Sequence, residues 1–143
     1  MKNIVKITIK GCSGYCSIDE AYDDKLVLTP TGIAYEYTPM TESEMNPRRK
    51  WSYKTNNPIF AIGFNKVAQM MDKILHPDEY IRCCDVGMID FCVTFEDKTK
   101  EHCEYWCTGD EFEDCFKAIK ELIPQTEYVP AVLLTSSDYN DEE

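Results

Sequence analysis

From Met88 to Phe95 the chain alternates, with Ile89, Phe91, Val93 and Phe95 in one phase and Met88, Asp90, Cys92 and Thr94 in the other. A period of two sends successive side chains to opposite faces of an extended backbone, so this segment reads as a strand with one face in a core. Glu101–Cys107 is expected to pair with it across the turn at Asp97–Lys100. A two-residue loop at Lys98-Thr99 would set Phe95 opposite His102 and Val93 opposite Glu104, mixing the faces. A loop of three or four residues sets Phe91, Val93 and Phe95 against Cys103, Tyr105 and Cys107, and the hydrophobic pattern selects that register.

Further strands are expected at Ile4–Ile9, with Val5, Ile7 and Ile9 on one face, and at Lys50–Thr55, with Trp51 and Tyr53 together. Lys25–Leu28 and Ile33–Tyr37 flank Thr29-Pro30-Thr31-Gly32, a hairpin turn with proline early and glycine late. Ser17–Asp24 reads as an acidic loop or irregular edge, and Thr38–Arg49 as a polar loop.

Two segments switch to helical spacing. Asn57-Pro58 supplies an N-cap and a first-turn proline, and Phe60, Phe64, Val67, Met71 and Ile74 form a stripe that ends at His76-Pro77. Gly63 weakens this helix by about 1 kcal/mol, which would move its start toward Phe64. The second helix spans Asp110–Ile123, with Phe112, Phe116, Ile119 and Ile123 inward and acidic residues crowding its first turn. Val129–Leu134 would add an edge strand.

Tyr53, Phe60, Phe64, Val67 and Met71 are echoed at the same offsets by Tyr105, Phe112, Phe116, Ile119 and Ile123, which suggests two ββα units. The expected fold is α+β: an antiparallel sheet of five or six strands with two helices packed on one face. Residues 1–136 are expected to form one domain, and 137–143 an acidic, disordered tail.

The formal charge of −11 works against binding a nucleic-acid backbone or an anionic membrane, and suits a protein partner, a basic one included. The N-terminus alternates with lysines instead of forming a signal-peptide core, so a cytoplasmic location is expected. The eight cysteines are then read as free thiols. Zinc would have to draw on Cys12, Cys16, Cys83 and Cys84, because Cys103 and Cys107 on one strand stand about 13 Å apart. No metal or other cofactor is expected.

The phosphate-binding, dinucleotide, zinc-protease and serine-hydrolase motifs are all absent. The chemical constellation that remains is Cys92 with His102 and Asp90, close enough across a hairpin for a thiol-dependent enzyme or redox protein. Arg48 and Arg49 form the basic cluster, suited to a carboxylate or phosphate. Tyr105 and Trp106 fall on opposite faces, so one of the two is expected to be exposed as an interface anchor. Together these features favour a non-enzymatic protein-binding module, a small acidic accessory, inhibitor or immunity-type protein able to form a homodimer. The alternatives are the thiol-dependent protein and a zinc-stabilised domain.

Overall fold

The computed structural model describes residues 3–12, 21–44, 47–76, 88–105, 112–124 and 131–133. Six strands form one antiparallel sheet: β1 (Ile4–Cys12), β2 (Tyr22–Thr29), β3 (Gly32–Pro39), β4 (Arg49–Lys54), β5 (Met88–Phe95) and β6 (Lys100–Tyr105). Two helices, α1 (Pro58–Leu75) and α2 (Glu113–Lys120), pack against each other. Their buried residues join one core cluster with a single face of the sheet. The strand order β4-β3-β2-β1-β5-β6 places a ββα succession on each side of the central β1–β2 pair.

Register accounts for the one-sidedness. Ile7, Ile9, Leu26, Leu28, Ile33, Tyr35, Phe91 and Val93 sit opposite one another on neighbouring strands and all point to the core. Phe91 stands opposite Cys103 and Ile89 opposite Tyr105, the face grouping expected from the alternation. The loop is the three-residue one, Glu96–Lys98, closed by the Phe95 N–H donating to the Thr99 carbonyl at 2.9 Å. Phe91 packs edge-on against Phe112 and near-parallel to Phe116, tying α2 to β5. Burial of each such ring contributes roughly 1.5–3 kcal/mol.

Four local expectations are corrected. A register irregularity between Ile4 and Lys6 gives β1 an extra residue, so Ile4 turns toward the core and Val5 toward solvent. Helix α1 runs straight through Gly63, because a Cβ there would lie 2.5 Å from Leu122 Cδ2 and the missing side chain admits that leucine. Asn57 caps it as expected, accepting from the Ile59 N–H at 3.0 Å. The start of β2 at Tyr22 takes Asp23 and Asp24 out of the acidic loop and into the sheet. Ala131–Leu133, expected as an edge strand, is a single 3-10 turn with Val132 and Leu133 in the core. Residues 137–143 lie outside the described residues. Among the described residues, no helix is long and apolar enough to cross a membrane.

The three-residue β5–β6 loop needs a left-handed residue, and Lys98 fills that position with φ 72°. A side chain there costs about 1–2 kcal/mol, which glycine avoids while losing part of the gain to chain entropy. Lys98→Gly is therefore expected to stabilise the fold by about 0.5–1 kcal/mol in urea denaturation. A loss of that size would show that the loop does not hold this geometry.

Candidate protein-binding surface

With the core on one side, the other side of the sheet is a polar face. One row across it reads Lys50, Glu36, Lys25, Lys10, Asp90 and Glu104, cationic at the β4 margin and anionic at the β6 margin. The adjoining row is Ser52, Ala34, Val27, Thr8, Cys92 and His102. The structure thus brings together the three residues singled out for thiol chemistry. Cys92 and His102 are directly opposed, and His102 Nδ1 stands 3.5 Å from Asp90 Oδ1. That oxygen is itself buried and makes no hydrogen bond among the described residues. The arrangement can orient an imidazole beside a thiol, although His102 remains 70% exposed.

The second candidate surface lies at β4. Among the described residues β4 pairs only with β3, so it forms one margin of the sheet. The Thr55 N–H donates to the Thr31 carbonyl at 2.9 Å, which fixes the phase of the β3–β4 ladder. Hydrogen-bonded pairs alternate in an antiparallel ladder. Trp51 and Tyr53 therefore direct their backbone groups at β3, while Lys50, Ser52 and Lys54 direct theirs outward.

Arg48 and Arg49 are both exposed at the head of this strand, as the basic cluster suggested. The Arg49 guanidinium lies 5.7 Å from the centre of the Tyr37 ring, which stacks on Tyr22 at 4.8 Å. Where β4 leads into α1, Ile59 is 72% exposed, Ile62 66% and Tyr53 40%, and the Tyr53 ring lies 6.1 Å from that of Phe60. Tyr105, by contrast, is not a surface anchor. It is buried, and its hydroxyl donates to the Ile74 carbonyl. Trp106 lies outside the described residues. Ile59 and Ile62 fall outside the helical stripe that marks the buried face of α1, so periodicity alone does not single them out.

Asp24 was the least legible residue of all. It is 4% exposed, and Oδ2 accepts from the Tyr35 hydroxyl at 2.8 Å and the Val132 N–H at 2.9 Å. It thereby fastens the Ala131–Leu133 turn to the sheet, over Gly11, where a Cβ would lie 2.7 Å from Val132 Cγ2. Burial raises its carboxyl above the ordinary value, against the lowering effect of the two hydrogen bonds. His76 ends α1 and is also raised, first by its contact with the Asp72 carbonyl at 3.0 Å and then by Glu101 at 3.2 Å. Burial pushes the Cys115 thiol up to about 12, so it stays un-ionised at neutral pH.

No three His, Cys, Asp or Glu among the described residues form a group that could hold a metal ion. Cys16, Cys83 and Cys84, the other members of the zinc alternative, lie outside the described residues. The chain matches no model of a known protein family, and no curated protein matches it either.

Because the folded carboxyl of Asp24 is raised, its stabilising contribution is full below the unfolded value near 3.8 and is lost as pH rises through the folded value. Asp24→Asn keeps the shape and removes the ionisation. Its stability relative to the parent should rise between pH 4 and pH 7 in denaturant titrations. A difference that is constant across that range would contradict the assignment.

Proposed function

We propose that this chain is a non-enzymatic protein-binding module, a small acidic accessory, inhibitor or immunity-type protein that acts by contact with another protein. The observation that carries this reading is the conjunction at the β4–α1 corner. Large exposed apolar side chains, Ile59 and Ile62, lie at the start of α1, a few residues along the chain from a strand margin with outward backbone groups and exposed cations. Apolar anchors within a polar, arginine-bearing rim are the usual composition of a protein interface. The chain's charge of −11 supports a protein partner over nucleic acid or an anionic membrane.

The Cys92–His102–Asp90 cluster favours a second reading, a thiol-dependent enzyme or redox protein. In it His102 takes the thiol proton and Asp90 orients the imidazole. Under that reading Cys92 alkylates faster at neutral pH than Cys12 or Cys103, and His102→Ala abolishes the difference.

The binding reading is tested by capture from native host lysate with wild-type and Ile59→Asp/Ile62→Asp baits. The wild-type protein should retain a stoichiometric partner that the variant loses. Each lost anchor typically costs about 1–2 kcal/mol, or about five- to thirtyfold in affinity. Retention of the same partner by both baits would move the interface elsewhere on the molecule.

A further inference from the structure

The two margins of the sheet are not equivalent. At β6 the outward positions are Lys100, His102 and Glu104, since the Phe95–Thr99 hydrogen bond sets that ladder in the same way. Their charges are mixed, and Glu101 on the same strand is engaged by His76. At β4 the outward positions are Lys50, Ser52 and Lys54, with Arg48 just before them, and no acidic residue lies between Arg48 and Lys54. An outward-facing run of backbone donors and acceptors is a template for another strand. Here the template bears charge of one sign in an otherwise acidic chain. The indole N–H of Trp51, buried on the same strand, donates to no group among the described residues.

From this we infer that β4 docks an acidic, extended segment of the partner protein as a seventh, antiparallel strand of the sheet. The inference rests on the protein-binding reading and names the partner's chemistry at that site. The geometry also dictates a pattern. Directly opposed residues in an antiparallel pair share a face. Partner residues opposite Lys50 and Lys54 therefore lie on the polar face and are acidic, glutamate or aspartate. Those opposite Trp51 and Tyr53 fall on the core face and are apolar. The residues opposite Lys50, Ser52 and Lys54 also turn their own N–H groups toward β4, because each forms a hydrogen-bonded pair with it. The intervening apolar residues turn their N–H groups away.

The probe is a short fluorescent peptide of alternating glutamate and valine, with a lysine–valine counterpart, followed by fluorescence anisotropy. The glutamate peptide should bind, weaken as salt rises, and exceed the lysine peptide. N-methylation at its glutamates should weaken binding by about tenfold or more, while N-methylation at its valines leaves it nearly unchanged. On the protein, Ser52→Pro removes an N–H that points away from β3, a substitution an edge strand tolerates, and should also abolish binding. Lys50→Glu/Lys54→Glu, which leaves every backbone group in place, should reverse the preference toward the lysine peptide.

Equal binding of both peptides, or no binding of either, overturns the inference, as does indifference to where the methyl groups sit. Association of copies of this chain that is lost in Ser52→Pro would assign the edge to a second copy and overturn it as well. A lysate partner that requires Ile59 and Ile62 but ignores Ser52→Pro overturns strand addition while leaving the protein-binding reading standing. A wild-type bait that captures no partner sinks that reading itself.

Discussion

A sheet whose apolar side chains all lie on one face has to be roofed, and the size of the roof decides what remains open. The rows running through Ile7, Ile9, Leu26, Leu28, Phe91 and Val93 put the greatest apolar density at the middle of the sheet. Helices α1 and α2 cover it, and Phe64, Phe91 and Phe116 are fully shielded between the layers. The β4 margin receives less. Trp51 closes the core at β4, but Tyr53, one pleat further along the same face, stays 40% exposed. The functional surface proposed above is thus a product of the fold's geometry: the corner where a short strand hands over to a helix is where cover runs out.

Asp24 belongs to the same economy of cover. The 3-10 turn at Ala131–Leu133 roofs the part of the sheet at Gly11, and it is held there by a carboxylate on β2 instead of by a strand ladder. A buried carboxyl needs partners, and the Tyr35 hydroxyl and Val132 N–H supply them from two different elements. That single side chain therefore joins β2, β3 and the C-terminal turn. The charged groups near it have different duties. Asp23, next in sequence, points to the opposite face and opposes Thr38.

The sheet, both helices and the β5–β6 face grouping were legible in the sequence, because periods of two and of 3.6 carry over directly into which side chains share a face. The Asn57-Pro58 start of α1 was legible for a local reason as well, the capping chemistry of those two residues. What escaped depended on distant partners. Val5 alternates correctly with Ile7, yet an irregular pairing with β5 turns it outward. Gly63 looks like a helix breaker until Leu122, contributed by another element, fills the space above it. Asp24 reads as one more acidic loop residue, and only the fold brings Tyr35 and Val132 to it. Charge is the least direct guide. A sum of −11 suits a basic partner, whereas the proposal of strand addition rests on the cations local to the β4 margin.

Strand addition at β4 requires that its outward edge be open, and open in one particular phase. Amide hydrogen exchange of the isolated protein, resolved residue by residue by NMR, tests it most directly. Alternation is expected along β4: slow exchange at Trp51 and Tyr53, whose amides bond to β3, and fast exchange at Lys50, Ser52 and Lys54. Uniform protection along the strand would mean that the edge is already covered, and protection in the opposite phase would mean that the outward face carries different residues; either result would rule out docking of a strand at Lys50, Ser52 and Lys54.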